Sequence, residues 1–326
     1  MYIIIQIVLL IAGFICLIKG ADIFVNGSSS LARNFHVPSL IIGLTIVALG
    51  TSAPELAVST SAAFQGSNEI ALSNVVGSNI FNLLCVLGIC AIICPLPVDT
   101  GALKRDFPFS IVTTGMLLII TCGPVLMGGH IVGLRSDQKA GAVTRMLGML
   151  LILLFLGYIC FLVYSAKKHS TEDSADEKVP VWKCILLIFI GLVLIITGGQ
   201  AVVYGAKEIA KIAGMTETLI GLTIVAVGTS LPELVTSIVA AKKGETGLAI
   251  GNVIGSNIFN LLFILGISAL IHPISVNAAS MYDMAILLFV SILTFFFSLS
   301  SKRIARAEGI IMVILYIADV IFAVFR

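Results

Sequence analysis

The chain has 326 residues, of which 59% are hydrophobic and only 11% are charged, and its mean hydropathy is +1.14. Because soluble domains carry about a quarter charged residues, this composition excludes an ordinary soluble domain and predicts a polytopic membrane protein. The net charge of +2 gives no reason to expect a nucleic-acid partner.

Ten segments are long and apolar enough to cross a bilayer, whose core of about 30 Å needs about 20 helical residues. They lie near residues 2–20, 38–64, 69–94, 108–127, 143–164, 181–203, 216–241, 247–271, 282–300 and 307–325. The first segment lacks the positive leader and cleavage site of a signal peptide, so we interpret it as a spanning helix. A polar stretch follows the fifth segment, and we predict two five-helix halves, residues 1–165 and 181–326, joined by a connector at 166–180.

The distribution of Lys and Arg over the connections predicts the orientation, because cytoplasmic loops carry an excess of these residues. With ten spans, thirteen of them fall on one side: Lys19, Arg33, Lys104, Arg105, Lys167, Lys168, Lys178, Lys183, Lys242, Lys243, Lys302, Arg303 and Arg306. Six fall on the other: Arg135, Lys139, Arg145, Lys207, Lys211 and Arg326. We therefore predict a multi-pass protein of the plasma membrane, with a cytoplasmic connector and both termini outside.

An internal repeat relates the two halves. Residues 42–89 and 220–267 align without a gap, 178 residues apart, with 31 identities in 48 positions. Five spans, an odd number, separate the copies, so the copies enter the membrane from opposite sides. Such inverted repeats are typical of secondary transporters, whose substrate site lies near the bilayer midplane where the repeats meet. We predict an all-α membrane protein with ten transmembrane helices in two inverted five-helix repeats.

Each copy contains the same interruption, GTSAPE at 50–55 and GTSLPE at 228–233. Pro54 has no backbone N–H, so the carbonyl of Gly50 is expected to lose its helical partner, and Pro232 repeats this effect in the second copy. A freed carbonyl at membrane depth must find protein, water or a cation.

The side chains of the interruption are suited to a hard cation. Thr51 and Ser52 lie four and three residues before Glu55, so the three can face one point on a helix. A carboxylate, hydroxyls and carbonyls are the oxygen ligands that Ca²⁺ prefers. A charged residue at a helix centre costs about 2.5–3.5 kcal/mol on insertion scales, and Glu233 repeats the feature. We therefore interpret both glutamates as functional, with a joint charge that neutralises one Ca²⁺.

The second repeated motif, GSNIFN, supplies polar side chains four residues apart on one helix face: Ser78 with Asn82, and Ser256 with Asn260. Asn74 and Asn252 lie one turn before the serines, and they either join the site or only bond helix to helix. Neither motif contains His or Cys, which argues against a site selective for zinc or copper.

The doubled GTSxPE and GSNIFN motifs resemble those of the cation/Ca²⁺ exchanger superfamily, specifically the prokaryotic Na⁺/Ca²⁺ exchangers, the sodium/calcium antiporter family. The motif-bearing repeats cover about a third of the chain, and the span count and connector extend the similarity over all of it. The resemblance implies ten helices, of which helices 2, 3, 7 and 8 form the ion sites while helices 1 and 6 slide across them. Small residues would allow close sliding: Gly13, Gly20, Gly191, Gly198 and Gly199.

The resemblance also implies a role for each matching residue. For Ca²⁺ it implies coordination by Glu55, Glu233, Thr51 and Thr229. For Na⁺ it implies Ser52, Ser78, Ser230, Ser256, both glutamates, and the backbone carbonyls of Ala48 and Ala226. The residues that would line the site are Asn82, Asn260, Pro54 and Pro232. Some relatives carry an acid at the place of Asn260, so the amide lowers the charge of the site and weakens the case for K⁺ transport.

We hypothesise electrogenic exchange of several Na⁺ for one Ca²⁺ by alternating access, without K⁺, cofactor, enzymatic activity or an obligatory protein partner. A Ca²⁺/H⁺ antiporter on the same fold is the alternative, and a pH gradient alone would drive it. A cation channel would use rings of acids around a pore, which two acids fit poorly. A hydrolase with Ser52 or Ser230 as nucleophile would need a nearby base, but the histidines lie in loops or at span ends: His36, His130, His169 and His272.

Overall fold

The computed structural model describes residues 2–128, 138–168, 179–215 and 226–325, which are almost entirely helical. The helices are α1 (Tyr2–Asn34), α2 (Ser39–Thr51), α3 (Ala53–Phe64), α4 (Asn68–Phe81 with Asn82–Val86 and Leu87–Ile93), α5 (Ala102–Asp106 with Phe107–Met127), α6 (Arg145–Lys168), α7 (Val181–Ile212), α8 (Ala226–Thr229), α9 (Leu231–Lys242), α10 (Thr246–Ile258 with Phe259–Ile264 and Leu265–Ile271), α11 (Ala278–Ser300) and α12 (Arg306–Phe325).

Several predicted features lie outside the described residues. They are most of the connector, the start of the seventh predicted span at 216–225, and the residues His130, Arg135, His169, Lys178 and Arg326.

Two spans are broken at the GTSxPE motifs, as the sequence predicts. Ser52 separates α2 from α3, which are bent by 49°, and Ser230 separates α8 from α9. Both serines leave the helical conformation, with ψ values of 11° and 7°. The proline of each motif then occupies the second position of the new helix, where its missing N–H breaks no hydrogen bond.

The helices that carry GSNIFN contain a wider, π-helical turn at the end of the motif. These turns span Asn82–Val86 in α4 and Phe259–Ile264 in α10, so Asn82 and Asn260 lie within them. Turns of this kind are frequent at functional sites, and here they occur at equivalent places in both copies.

The helices differ in how far the protein buries them. In the most apolar stretches of α4 and α10, 78% of the residues are buried, against 22% in α1 and 28% in α7. The buried surface of the two central helices includes serines and asparagines, whereas α1 and α7 expose large apolar side chains such as Ile4, Ile15 and Phe189. A polar centre inside an apolar exterior fits a protein whose outer surface contacts lipid.

The two outer helices, α1 and α7, pack closely against each other through glycines. A Cβ atom on Gly13 would lie 2.9 Å from the carbonyl oxygen of Gly198, and one on Gly20 would lie 2.9 Å from that of Gly191. Without side chains, the two backbones can approach at these places. These four glycines therefore join α1 to α7 and do not face the helices of the motifs.

The predicted spans and the structure differ in some details. The helices α1 and α7 continue to residues 34 and 212, well beyond the predicted ends at 20 and 203. Two small antiparallel sheets, absent from the all-α prediction, also form: β1 (Leu96–Pro97) pairs with β4 (Arg303–Ile304), and β2 (Lys139–Val143) pairs with β3 (Ile274–Asn277). Among the described residues, seven helices are long and apolar enough to span a membrane, or eight with α2 and α3 counted together.

Candidate cation-binding site

At the centre of the protein, the glutamate of each interruption accepts a hydrogen bond from the serine of the other repeat. The Ser52 hydroxyl donates to Glu233 Oε1 over 2.7 Å, and the Ser230 hydroxyl donates to Glu55 Oε1 over 2.8 Å. All four side chains are buried. Each serine thus binds the carboxylate of the other repeat, an exchange of partners that the sequence does not predict. This exchange brings the two motifs together into one site.

Several oxygen atoms of the predicted site residues remain without a partner. Among the described residues, buried oxygens with no hydrogen bond include Glu55 Oε2, Glu233 Oε2, Asn82 Oδ1, Asn260 Oδ1 and Ser256 Oγ. Leaving a buried acceptor unsatisfied costs about 1–3 kcal/mol, and more for a charged group. A cation with a preference for hard oxygen ligands would satisfy these atoms.

The charge of the site is not balanced by a basic side chain. No lysine, arginine or histidine within the described ranges is ion-paired with Glu55 or Glu233; the ion pairs there lie elsewhere, for example between Arg105 and Asp106. Two buried carboxylates without such a partner are strongly disfavoured. Bound cations or protons must therefore compensate them. The described part of the chain also contains no cluster of three or more His, Cys, Asp or Glu side chains, so the remaining oxygens of the site are neutral.

Asn74 and Asn252 both form hydrogen bonds between helices, which is one of the two roles expected for them. Asn74 Nδ2 donates to Ser59 Oγ over 2.9 Å, which fastens α4 to α3. Asn252 Nδ2 donates to Ser237 Oγ over 3.0 Å, which fastens α10 to α9. Thr51 Oγ1 lies 3.0 Å from Asn252 Oδ1, so this predicted ligand also helps to join the two repeats.

Two asparagines that the sequence reasoning missed form the contact between α4 and α10. Asn79 Nδ2 donates to the backbone carbonyl of Asn257 over 3.1 Å, and Asn257 Nδ2 donates to that of Asn79 over 3.2 Å. Their side-chain oxygens accept from the predicted lining residues, Asn82 and Asn260, over 3.1 Å in both cases. The signal was present, because both lie in GSNIFN, three residues before the lining asparagine.

The two predicted serine ligands of GSNIFN differ in their surroundings. Ser78 Oγ accepts from Asn260 Nδ2 over 3.1 Å and donates to the carbonyl of Val75. Ser256 Oγ is buried and makes no hydrogen bond of normal length among the described residues, but it interacts with the Glu233 carboxylate. Ser78 is thus held by an asparagine of the other repeat, whereas Ser256 faces a glutamate of its own repeat.

The backbone at the first break shows which partner the Gly50 carbonyl finds. Pro54 cannot donate to it, but an N–H at the end of α2 does, and the carbonyl of Ala48 accepts from the Ser52 N–H and lies 3.4 Å from Thr51 Oγ1. The tight turn at Ser52 thus supplies a donor in place of the one that Pro54 lacks. Of the three partners expected for this carbonyl, protein, water or a cation, the structure shows protein.

The other predicted residues of the second motif lie next to Ser230 and Glu233 in the chain. Thr229 is half-buried at the end of α8, and Pro232 is buried, with its Cγ at an ordinary van der Waals distance, 3.8 Å, from a Cβ built on Gly199 of α7. The Ser230 N–H donates to the carbonyl of Val227, the residue after Ala226.

The fold and the site define an integral membrane protein with a buried, acidic, oxygen-lined site between broken helices, which is the arrangement of ion-coupled transporters. A family model described as sodium/calcium exchanger protein matches residues 5–164 and 183–325. The chain belongs to the sodium/calcium exchanger family.

Relatives of known sequence and structure agree with this assignment. The chain is 38% identical over 322 residues to CaxA of Alkalimonas amylolytica, named as an antiporter, covering 95% of this chain and 96% of CaxA. It is 30% identical over 335 residues to the sodium/calcium exchanger MaX1 of Methanosarcina acetivorans, covering 95% and 96%. A solved structure of the sodium-calcium exchanger NCX_Mj, soaked with Na⁺ and Ca²⁺, matches with a TM-score of 0.82 and 32% identity, covering 97% of this chain and 98% of that one. These matches support cation/Ca²⁺ exchange and a transporter rather than an enzyme.

Proposed function

We propose that the protein exchanges several Na⁺ for one Ca²⁺ across the plasma membrane by alternating access, electrogenically and without K⁺. The observation that carries the proposal is the pair of buried glutamates. Each has one oxygen bound by the serine of the other repeat, and the second oxygen has no hydrogen bond among the described residues. The two carboxylates balance the charge of one Ca²⁺, and their free oxygens are ligands of the type it prefers.

The two kinds of ion share the glutamates and otherwise bind different groups of the site. In this proposal, Ca²⁺ binds Glu55, Glu233, Thr51 and Thr229. The Na⁺ ions bind both glutamates, Ser52, Ser78, Ser230, Ser256, and the carbonyls of Ala48 and Ala226. Asn82, Asn260, Pro54 and Pro232 line the site. Coupling follows from competition, because two carboxylates cannot neutralise Ca²⁺ and a full set of Na⁺ at once.

The amides at positions 82 and 260 favour a site without K⁺. Both side chains are neutral and buried, so within the part of the chain that the structure describes the buried charge of the centre comes from the two glutamates. A site with only two negative charges gives little reason for a further K⁺ to accompany Ca²⁺.

We infer ten transmembrane helices in two inverted repeats, with halves at 1–165 and 181–326 and a cytoplasmic connector at 166–180. Contacts between connections support this topology. The pair β1–β4 and the ion pair between Arg33 and Glu245 join connections assigned to the cytoplasm. The pair β2–β3 and the bond from Asn277 to Glu69 join connections assigned to the outside. The two stretches that the family model matches also coincide with the two halves.

The experiment that tests the exchange is radioactive Ca²⁺ uptake into proteoliposomes loaded with Na⁺ and diluted into Na⁺-free buffer without a pH gradient. We expect uptake that needs internal Na⁺ and is unaffected by replacing external K⁺ with choline. An inside-positive potential should accelerate it, because more positive charge leaves with Na⁺ than enters with Ca²⁺.

The free carboxylate oxygens would also accept protons, which keeps a Ca²⁺/H⁺ antiporter as the second candidate. The same liposomes distinguish the two. Uptake that ignores internal Na⁺ but responds to an imposed pH gradient would reject Na⁺ coupling, and the Na⁺ roles of the four serines would be withdrawn with it.

A further inference from the structure

We propose that Asn79 and Asn257 are positioning residues that force Asn82 and Asn260 to present oxygen, and not nitrogen, to the cation. The inference rests on the proposed function, since it assigns a role beside the same site. The four residues form a hydrogen-bonded network between α4 and α10, in which the two reciprocal bonds of Asn79 and Asn257 close on themselves. We call this network the ring, and all four side chains in it are buried.

The direction of the ring follows from two backbone carbonyls. A primary amide has a donor end and an acceptor end, which a half-turn of the side chain exchanges. The side chains of Asn79 and Asn257 each contact the backbone carbonyl of the other residue, at 3.1 and 3.2 Å. A carbonyl oxygen only accepts, so both asparagines must place their Nδ2 there. Their Oδ1 atoms are thereby fixed as acceptors on the other side.

The next pair of amides is then determined as well. Asn82 and Asn260 face these fixed acceptors at 3.1 Å, so they must present Nδ2 to them. Their Oδ1 atoms consequently point away from the ring, and both are buried without a partner among the described residues. Only the oxygen end of an amide can bind a cation, so the ring keeps both amides in the competent orientation.

The two sides of the ring are held with unequal strength. Asn260 Nδ2 has a second acceptor, Ser78 Oγ at 3.1 Å, whereas Asn82 Nδ2 is held within the described residues by its bond to Asn257 Oδ1. The orientation of Asn82 therefore depends more on Asn257 than the orientation of Asn260 depends on Asn79. Loss of Asn257 should weaken cation binding more than loss of Asn79.

The test is a double-mutant cycle read by equilibrium binding of radioactive Ca²⁺ to the purified full chain. With Asn82 present, Asn257→Ala should raise the half-saturating Ca²⁺ concentration about tenfold, the size expected for losing one well-formed hydrogen bond. Asn79→Ala should raise it less. In an Asn82→Asp background both ends of residue 82 are oxygen, and its carboxylate opposes Asn257 Oδ1. In that background, Asn257→Ala should leave the half-saturating Ca²⁺ concentration unchanged or lower it.

If Asn257 only stabilises the fold, Asn257→Ala should raise the half-saturating Ca²⁺ concentration by the same factor with and without Asn82→Asp. That result would overturn the inference. The thermal midpoint without cations reports folding separately. Asn277→Ala is the matched control, because Asn277 caps α11 and bonds to Glu69 away from the site, and it should not change Ca²⁺ binding. If Asn257→Ala does not fold, the same cycle with Asn79→Ala and Asn260→Asp decides the question. Asn79→Ala should then raise the half-saturating Ca²⁺ concentration when Asn260 is present, and leave it unchanged or lower it together with Asn260→Asp.

The outcomes separate this inference from the proposed function. A wild-type chain that binds Ca²⁺ but does not exchange it for Na⁺ would refute the proposed function, while the cycle still tests the ring. If Ca²⁺ does not bind, the cycle is read as the shift of the thermal midpoint by NaCl. A wild-type chain that neither CaCl₂ nor NaCl stabilises would refute both, because no cation would then face the amides.

Discussion

The two halves of the molecule are nearly identical at the centre and different at one rim. At the centre, Ser52 and Ser230 each bind the glutamate of the other repeat, and the distances, 2.7 and 2.8 Å, are almost equal. At the rim assigned to the cytoplasm, Lys243 lies 2.6 Å from Asp22, and Arg33 lies 3.5 Å from Glu245. These two ion pairs tie α1 to the connection between α9 and α10.

The repeat relationship shows that the other half cannot form these contacts. The residues 178 positions from Lys243 and Asp22 are Gln65 and Gln200, which carry no charge. Those equivalent to Arg33 and Glu245 are Lys211 and Ser67, of which only one is charged. The binding chemistry thus keeps the centre alike in both repeats, whereas surface pairs, which contribute little to stability, differ freely.

Removing either central carboxylate should have the largest effect, and an equal one. Glu55→Gln and Glu233→Gln should each reduce Na⁺-dependent Ca²⁺ uptake at least about a hundredfold. With one carboxylate removed, the remaining buried carboxylate no longer balances the charge of the bound cation. Uptake by proteoliposomes measures this. Loss of uptake in only one of the two variants would show that the two halves are not equivalent even at their central carboxylates.

Removing the crosswise hydroxyls should have the next largest effect. Ser52→Ala and Ser230→Ala each delete a hydrogen bond to a carboxylate, which is worth about 1.5–3 kcal/mol, so the half-saturating Ca²⁺ concentration should change about tenfold or more in both. Ser291→Ala is the matched control, because this buried hydroxyl bonds to the Leu287 carbonyl of its own helix. A much larger effect for one serine than for the other would show that the two carboxylates are not equivalent.

Breaking the rim contact at Lys243 should have a small effect of a different kind. The Asp22 side chain is 47% exposed, so Lys243→Gln should lower the free energy of unfolding by no more than about 1 kcal/mol. The half-saturating Ca²⁺ concentration should stay unchanged. Thermal unfolding at low and high salt tests whether the loss of stability is electrostatic, because salt should reduce the difference in stability between this variant and the wild type. A change in Ca²⁺ affinity would instead show that the rim affects the site.

The smallest effect is expected for Arg33→Gln, whose ion pair is longer and whose side chain is 52% exposed. We expect a change in stability below that of Lys243→Gln, and the same Ca²⁺ affinity as the wild type. Lys211→Gln in the other half is the comparison variant. A large loss of stability for Arg33→Gln would show that the rim is as constrained as the centre.

Much of the fold could be predicted because its cause is local. The proline and glycine of each GTSxPE motif interrupt a helix wherever they stand, and the breaks occur at Ser52 and Ser230. Helix ends were less predictable. The polar residues after position 20 continue α1 to residue 34, because contact with α7 and with Lys243 compensates for the loss of apolar character.

The site could be predicted as a set of residues but not as a set of contacts. The spacing within the motif indicated that Ser52 and Glu55 can face one point, but not that the Ser52 hydroxyl binds Glu233, 181 residues away. Local periodicity cannot show which face of one broken helix meets the other. Pro54 likewise predicted that the Gly50 carbonyl loses its usual helical partner, but not which group replaces it.

By itself, the sequence determined the membrane class, the repeat, the broken helices and the oxygen chemistry of the site, because composition and short motifs act locally or on the chain as a whole. Only the tertiary structure decided that the serines exchange partners between repeats, and that Asn79 and Asn257 orient the amides of Asn82 and Asn260. Those contacts join residues 175 or more positions apart. The serine contacts depend on how the two broken helices meet, and the asparagine contacts on how α4 packs against α10. No local pattern of residues encodes either arrangement.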